Sequence, residues 1–302
     1  MTNPSTARDL RAWEAAGYVV LAVVATMGVQ TAGAAAVALI RDAPFTDAAV
    51  RFAYDPALIA SSQFLGFGVA IVALLRRFRG EDGVIRVHVR VPGAAVLWAM
   101  LAGVGLQLPL AEIGNVMGEL VGHDPEHQLA LRRMLEPHSV GRGIAVTTAF
   151  VFMSPMMEEA LFRGMLLPSL ERRHGAAKAL LLTSLLFAII HGRPTAMAYA
   201  FAAGLILGAI RLRTGNTVVC VATHAAINAV PVLLPWRVLP IEGLNVVSPD
   251  VLHVPLPWLL PSIAIAVVGL VGIARARPPA PTPPASETPG PRTHSEAGSR
   301  DG

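Results

Sequence analysis

The hydrophobic positions of the chain fall into long runs that are separated by short polar segments. Most runs have about the 17 to 25 residues that an α-helix needs to cross a membrane, and the first is too long for the core of a signal peptide, about 7 to 15 residues. The pattern predicts an all-α fold, a polytopic membrane helix bundle of about eight transmembrane helices. The fifth run is short, and its four-residue link to the sixth predicts a tight hairpin. The runs cover approximately residues 15–40, 57–75, 91–111, 145–167, 176–190, 195–210, 218–234 and 255–273.

The composition favours the same class of protein. Hydrophobic residues make up 54% of the 302 residues and charged residues 15%, whereas soluble domains carry about 25% charged residues. The single cysteine, Cys220, excludes an internal disulfide framework and lies in an apolar run, as a small buried residue would. We expect a multi-pass protein of the inner or plasma membrane that contacts lipid and binds no nucleic acid.

The basic residues between the runs predict the orientation in the membrane, because cytoplasmic loops carry an excess of Lys and Arg. With both termini in the cytoplasm, fourteen such residues lie on the cytoplasmic side and seven on the other. We therefore expect cytoplasmic termini. The seven are Arg41, Arg51, Arg132, Arg133, Arg142, Arg193 and Arg237.

The chain is expected to divide into four parts. Residues 1–142 form N-terminal membrane helices and loops, 143–235 a core that carries the polar motifs, and 236–277 the last transmembrane helix. Residues 278–302 are rich in Pro, Ser and Thr without apolar periodicity, which predicts a disordered tail.

The longest connection, approximately residues 112–142, contains the sequence His-Asp-Pro-Glu-His at 123–127. The spacing of its histidines and acids fits no closed zinc site. Pro follows Asp124 and Glu136, which indicates irregular backbone. We interpret this connection as a solvated loop or a short surface helix.

Three charged side chains stand together in the fourth run, where charge costs at least about 2.5 to 3.5 kcal/mol near the bilayer centre. They are Glu158, Glu159 and Arg163. Glu159 and Arg163 are four residues apart and can form an ion pair on one helix face. Glu158 points about 100° away and has no local partner in this pattern. The spacing predicts one structural carboxylate and one that is available for chemistry.

Two further polar motifs lie in the following runs. His191 ends the fifth run, and His224 and Asn228 share one face of the seventh. Taken singly, a histidine at a helix end or a polar pair in a bundle most often serves interhelical hydrogen bonding. Polar groups in a bundle face its interior and pair there, however. We therefore expect these residues to converge with Glu158, Glu159 and Arg163 on one buried site.

This set of side chains has the parts of a hydrolase that activates water. Glu158, removed from solvent, could take a proton from water, with His191 sharing that water or passing its proton to the leaving amine. His224 and Asn228 could donate hydrogen bonds to the oxyanion of a tetrahedral intermediate. A peptide bond is the natural target of this chemistry.

The motifs Glu-Glu-x-x-x-Arg at 158–163, Phe-x-x-x-His at 187–191 and His-x-x-x-Asn at 224–228 resemble the CPBP family. This group of intramembrane proteases includes CAAX prenyl proteases and bacteriocin-processing or self-immunity proteins. The resemblance covers about residues 143–235. It implies a membrane-embedded peptidase that cleaves a peptide or a membrane-anchored protein, with Glu158 and His191 activating water, His224 and Asn228 holding the oxyanion, and Glu159 and Arg163 supporting them.

The role of a metal stays open at this point. A zinc site needs about three protein ligands, which Glu158, His191 and His224 could supply. No His-Glu-x-x-His motif is present, and a ligating Glu158 would leave only the paired Glu159 as a general base. The preferred interpretation therefore requires no cofactor.

Two other functions compete with a peptidase. A non-catalytic scaffold or immunity protein of the same fold would keep the polar core for stability, although apolar replacements would then be tolerated. A proton-coupled transporter would use Glu158 and the histidines as a relay. Broken helices in matching halves of the chain, which are typical of transporters, are not evident in the sequence.

Overall fold

The computed structural model describes residues 9–42, 44–79 and 93–276, and the regular structure within these ranges is entirely helical. The prediction of an all-α bundle is therefore confirmed for the described residues. The helices are α1 (Ala12–Arg41), α2 (Phe45–Tyr54), α3 (Pro56–Arg77), α4 (Gly93–Val121), α5 (Pro125–Leu135), α6 (Val140–His174), α7 (Ala176–Ile189), α8 (Pro194–Thr214), α9 (Thr217–Leu233) and α10 (Leu256–Arg275).

Each of the eight apolar runs coincides with one of these helices. Among the described residues, six helices are long and apolar enough to cross a membrane, namely α1, α3, α4, α6, α8 and α10. Helices α7 and α9 are apolar but shorter, with 14 and 17 residues. The predicted hairpin of the fifth and sixth runs is formed by α7 and α8, which pack closely at Ser184 and Gly204. The protein is an integral membrane protein.

Two boundaries differ from those predicted. Helix α4 continues to Val121, ten residues past the predicted end of its run. Its Glu112, which the sequence assigns to a loop, accepts a hydrogen bond from the backbone N–H of Val254 at 2.8 Å. The carboxylate therefore has a hydrogen-bond partner although it lies within the helix. The connection beyond it contains α5, the short surface helix that was one of the two expected forms. The tail at 278–302, which was predicted to be disordered, lies outside the described residues. The division into four parts stays a prediction.

Side-chain caps and prolines define the starts of several helices. Asp55 and Asp124 each accept backbone N–H groups at the start of α3 and α5, and each is followed by a proline at the first helical position. Ser139 caps α6 and Asn216 caps α9 in the same way. These caps satisfy donors that a helix start would otherwise leave without partners.

Helix α4 lies at the centre of the bundle, where small residues bring it close to α9 and α10. A Cβ atom at Gly105 would lie 2.2 Å from the backbone nitrogen of Ala266, and one at Gly103 would lie 2.3 Å from the carbonyl of Thr223. Only glycine fits such an approach. Small residues serve this purpose in membrane bundles, where lipid removes most of the hydrophobic drive between helices.

Polar contacts join helix ends at one face of the bundle. Arg77 near the end of α3 binds Glu14 at the start of α1 at 2.7 Å, and Arg172 near the end of α6 binds Asp9 at 2.6 Å. Arg213 near the end of α8 donates to the carbonyl of Ala274 near the end of α10. The helices therefore alternate in direction as the eight runs predict, and the start of α1 and the end of α10 lie at the same face.

Candidate active site

The two glutamates lie in α6, which changes its winding around them. Residues Ser154–Glu159 are α-helical, whereas Thr147–Met153 before them and Ala160–Leu166 after them are π-helical. Such π-helical turns are rare and frequently occur at functional sites. A regular α-helix was the expectation for this segment, so the widened turns are a feature that the sequence did not reveal.

Each π-helical stretch receives a hydrogen bond from a polar side chain of a neighbouring helix. Asn228 of α9 donates its amide to the carbonyl of Phe150 at 2.9 Å. The guanidinium of Arg211 in α8 donates to the carbonyl of Arg163 at 3.1 Å. These bonds support backbone that departs from α-helical hydrogen bonding. Asn228 thus has a structural contact that was not anticipated.

Glu159 and Arg163 form the predicted ion pair. Their side chains are 0% and 1% exposed, and the guanidinium lies 2.7 Å from Glu159 Oε1. Arg163 also donates to the carbonyl of Gly204 at 3.1 Å and lies over the ring of Phe187, 4.5 Å from its centroid. A buried charge of this kind is stable only when paired and hydrogen-bonded, so Glu159 and Arg163 hold α6 against α7 and α8.

His224 lies between the two glutamates. Its Nδ1 is 2.9 Å from Glu159 Oε1 and its Nε2 is 4.0 Å from Glu158 Oε2. Because a carboxylate oxygen accepts hydrogen bonds, His224 Nδ1 carries a hydrogen and donates a hydrogen bond to Glu159. Glu159 therefore fixes the orientation of the imidazole so that Nε2 faces Glu158.

Glu158 is buried, with 7% of its surface exposed. The expectation that it has no local partner is wrong, because the Ser154 hydroxyl donates to Glu158 Oε1 at 2.6 Å. Sequence reasoning missed Ser154, although its position four residues before Glu158 places both on one helix face. The two carboxylate oxygens are thereby distinguished, one bound by Ser154 and the other facing His224.

His191 lies in the turn after α7, and the rings of His191 and His224 both pack edge-on with Phe187. The centroid of the Phe187 ring is 5.0 Å from that of His191 and 5.9 Å from that of His224. His191 Nδ1 donates to the carbonyl of Phe187 at 2.8 Å, which leaves Nε2 as the proton acceptor of the neutral ring. Within the described residues, no hydrogen bond joins His191 to Glu158.

The structure therefore brings four of the six predicted residues into one cluster through direct contacts. These are Glu158, Glu159, Arg163 and His224. Asn228 contacts the same helix at the carbonyl of Phe150. His191 is attached to this cluster through the Phe187 ring.

The zinc alternative does not fit this arrangement. Among the described residues, no group of three or more His, Cys, Asp and Glu side chains is placed to hold a metal ion. The structure therefore gives no support to the metalloprotease interpretation.

The His-Asp-Pro-Glu-His segment has structural contacts of its own. Asp124 accepts the backbone N–H of His127 as the cap of α5 and forms an ion pair with Arg193. These two partners hold the pKa of the Asp124 carboxyl below its usual range. His123 Nε2 donates to the carbonyl of Ser248 at 3.0 Å. The segment thus joins α5 to the turn before α8 and to the loop before α10.

A cavity of about 670 Å³ is lined by His191 and by none of the other five predicted site residues. His191, Tyr199 and Gln107 line it together, and the Tyr199 hydroxyl donates to Gln107 Oε1 at 3.2 Å. Neither Tyr199 nor Gln107 was predicted, because nothing in an apolar run marks a single polar residue as a wall of a cavity.

Residues 141–230 match the family model described as type II CAAX prenyl endopeptidase Rce1-like. The match covers α6 to α9 almost completely and contains all three motifs. No curated protein and no solved structure matches the chain. The resemblance to the CPBP proteases is thereby confirmed for this segment, and the match supports an intramembrane endopeptidase in general.

Proposed function

We propose that this protein, which carries an Rce1-like segment at residues 141–230, hydrolyses peptide bonds with a water that Glu158 activates. The observation that carries the proposal is the buried Glu158 carboxylate, with Oε1 bound by Ser154 and Oε2 directed at His224. A desolvated carboxylate that is held in one orientation is suited to general base catalysis.

In this mechanism, Glu158 takes a proton from water as the water oxygen attacks the carbonyl carbon of the peptide bond. The carbonyl oxygen becomes an oxyanion, which His224 and the second amide hydrogen of Asn228 stabilise. The C–N bond then breaks, and the leaving nitrogen receives the proton that Glu158 took up. His191 Nε2 can relay this proton, because no described residue is hydrogen-bonded to that atom.

This mechanism requires both ring nitrogens of His224 to carry hydrogens, because Nδ1 donates to Glu159 and Nε2 donates to the oxyanion. Arg163 and His224 then supply two positive charges against the two glutamates. Proton transfer from water to Glu158 then moves one negative charge from the carboxylate to the oxyanion beside His224. An arrangement that is built before the reaction requires little reorganisation of the protein in the transition state.

The substrate in this proposal is a peptide or a membrane-anchored protein segment. The family description names prenylated CAAX substrates, but the described cluster addresses only the peptide bond. Recognition of a prenyl group is therefore not part of the proposal, and the mechanism needs no metal.

The test is cleavage of a fluorogenic peptide library by the purified, detergent-solubilised protein. Glu158→Gln should lower turnover by about 10² to 10⁴, the usual contribution of a general base, while Glu242→Gln, at an exposed loop position, should leave it unchanged. A zinc chelator should have no effect on the wild type. Full activity in Glu158→Gln, or no turnover by folded wild type on any peptide, would overturn the proposal.

A further inference from the structure

We propose that the cavity beside His191 is a binding site in its own right and that its ligand is an anionic amphiphile. This class of ligand has a phosphate or carboxylate group on an apolar chain, as acidic membrane lipids and fatty acids do. Neither Glu158 nor His224 lines the cavity. The proposal therefore concerns a second site and does not depend on the proposed peptidase function.

Arg132 of α5 places a positive charge in the wall of this cavity. Its guanidinium carbon lies 4.4 Å from the centroid of the Trp236 ring, and both residues line the cavity. Stacking on an indole stabilises a cation and holds the planar guanidinium in one orientation. Within the described ranges, the Arg132 side chain forms no hydrogen bond and no ion pair. An oriented cation without a counter-charge favours an anionic ligand.

Two enclosed N–H donors at the same place add to this positive potential. Arg132 Nε and Trp236 Nε1 are both shielded from solvent and have no hydrogen-bond partner among the described residues. Most enclosed N–H groups in proteins do have an acceptor, because leaving one without a partner is costly. This part of the wall therefore has more donors than acceptors, and a phosphate or carboxylate supplies acceptors only.

The acidic residues of the wall do not neutralise Arg132. Asp124 forms an ion pair with Arg193, and Glu136 forms one with Arg237. Asp250, which has no ion-pair partner in the described part of the chain, lies at an exposed position. Solvent and salt screen a carboxylate at such a position.

The remaining walls and the depth of the cavity suit the apolar part of such a ligand. The walls include the end of α4 and the start of α8, and the ends of membrane helices lie near the headgroups of the lipids. The volume of about 670 Å³ is within the range of about 300 to 1,000 Å³ typical of ligand-binding pockets. Apolar side chains in the walls are those of Leu131, Leu135, Leu244, Val247 and Val251.

Hydrogen bonds hold the walls of the cavity in place. Asn115 of α4 donates to the carbonyl of Gly243 at 2.9 Å, which fastens the loop between α9 and α10 to α4. His123, just before α5, contacts the carbonyl of Ser248 in the same loop at 3.0 Å. The cavity is therefore formed before a ligand binds, which lowers the cost of ordering the protein on binding.

Native mass spectrometry of the purified protein counts bound amphiphiles and tests the class of ligand. The anionic probes are decanoate and dioctanoyl phosphatidylglycerol, and the matched probes without an anionic group are decanol and decyltrimethylammonium. We expect one saturable adduct with an anionic probe and none with the other two. Saturation by decanoate alone identifies a fatty-acid carboxylate as the ligand, and saturation by phosphatidylglycerol alone identifies a lipid phosphate. No saturable adduct with either anion, or tighter binding of the cation, would overturn the proposal.

Arg132→Gln and Arg133→Gln test which residue binds the anion. Arg133 is the next residue of α5, but it is exposed and does not line the cavity. Because hydrogen bonds to charged groups are strong, Arg132→Gln should raise the Kd of the anionic probe roughly tenfold to a hundredfold. Arg133→Gln should leave it unchanged, and Arg132→Lys, which keeps the charge but not the planar fork, should lie between them. Equal Kd values in the two glutamine variants would contradict the role of Arg132.

Blocking the cavity gives a second measurement that leaves Arg132 intact. Gln128 lines the cavity, and Cys220 is fully buried, so the wild-type chain treated with a bulky maleimide is the reference. Gln128→Cys coupled to the maleimide should lose the saturable adduct. Lys178→Cys, at an exposed position that does not line the cavity, should keep it after the same coupling. Undiminished binding by the coupled Gln128→Cys protein would place the ligand elsewhere and overturn the proposal.

Discussion

At the scale of single residues, the site separates the tasks of its two adjacent carboxylates by their partners. Glu159 is bound by Arg163 and His224 and is completely buried. Glu158 has one oxygen bound by Ser154 and the other 4.0 Å from His224 Nε2. The same residue type therefore serves as support in one position and as a candidate base in the next.

Ser154→Ala tests whether the hydroxyl positions the base. The substitution removes the only hydrogen bond that a described residue donates to Glu158. Hydrogen bonds to ionised groups contribute about 1.5 to 3 kcal/mol, so kcat should fall roughly tenfold to a hundredfold while KM changes little. Steady-state kinetics on a cleaved peptide measure both constants.

Ser61→Ala is the matched control for this substitution. Its hydroxyl likewise donates to a group four residues away in the same helix, but to the backbone carbonyl of Ala57 at 2.7 Å and on the exposed side of α3. Its kinetics should equal those of the wild type. A wild-type kcat in Ser154→Ala would assign the serine to helix packing alone.

Spacing and polarity decided which residues of the site could be recognised from the sequence. Glu159 and Arg163 were recognisable because a four-residue spacing in an apolar run leaves little else for two charges to do. Ser154 was not, because serine at the same spacing commonly bonds to backbone instead. The contact of Phe187 with His224 depends on how α7 packs against α9, which no local pattern encodes.

At the scale of helices, the close contact of α4 with α9 sets the position of His224. Gly103 faces the carbonyl of Thr223 and the methyl group of Ala226. Gly103→Ala would place its Cβ 2.3 Å and 2.6 Å from these atoms. Overpacking typically costs about 1 to 3 kcal/mol, so we expect a lower unfolding temperature and reduced turnover, measured by thermal unfolding in detergent and by peptide cleavage.

Gly28→Ala separates this steric effect from the general effect of alanine in a helix. Gly28 lies within α1, and a Cβ there would have no heavy atom within 4 Å. Its unfolding temperature and turnover should match or slightly exceed those of the wild type. Equal behaviour of the two variants would contradict the close α4 to α9 contact.

The loop before α10 is fastened to α4 by a histidine that contacts two carboxylates. His253 Nδ1 lies 2.6 Å from Glu112 and Nε2 lies 2.9 Å from Glu119. Both ring nitrogens donate only when the ring is protonated. The hydrogen bonds with Glu119 and Glu112 raise the pKa of His253 above its usual value.

The sign of this shift predicts a loop that loosens as pH rises. The contribution of His253 is complete below the ordinary histidine pKa of about 6.5 and is lost as pH increases through the raised value. Hydrogen exchange of the Val254 amide, which donates to Glu112, should therefore lose protection above neutral pH. The Ile241 amide, bound by Asn245, is the internal reference. A constant ratio of the two protection factors, or the same pH dependence in His253→Gln, would contradict this role.

The helices themselves were largely predictable, because each apolar run is long enough to require one in lipid. The end of α4 and the winding of α6 were not predictable from the sequence. The end of α4 was placed too early since Glu112 resembles loop sequence, and its partners at His253 and Val254 are 141 and 142 residues away. The π-helical turns in α6 receive bonds from Asn228 and Arg211 of other helices, so their cause is equally non-local.

At the scale of the whole molecule, one face of the bundle joins the start of the described chain to the helix that carries the glutamates. The Asp9 carboxylate is 2% exposed and accepts two hydrogen bonds from Arg172, while its carbonyl accepts one from Arg173. The backbone N–H of Leu10 donates to Ser169 at 2.9 Å. Helix α1 itself packs against α3 and α2, and this segment adds a polar attachment to α6.

Asp9→Asn tests how much this face contributes to the assembly of the bundle. The substitution keeps the shape but removes the charge that Arg172 binds, and hydrogen bonds to charged groups contribute about 1.5 to 3 kcal/mol. Arg172 is 36% exposed, so solvent screening places the effect near the lower end. We expect a lower unfolding temperature and faster proteolysis near the start of α1, while Asp250→Asn, at an exposed position, should change neither. If Asp9→Asn is as stable as wild type, the packing of α1 against α2 and α3 fixes the first helix without this polar attachment.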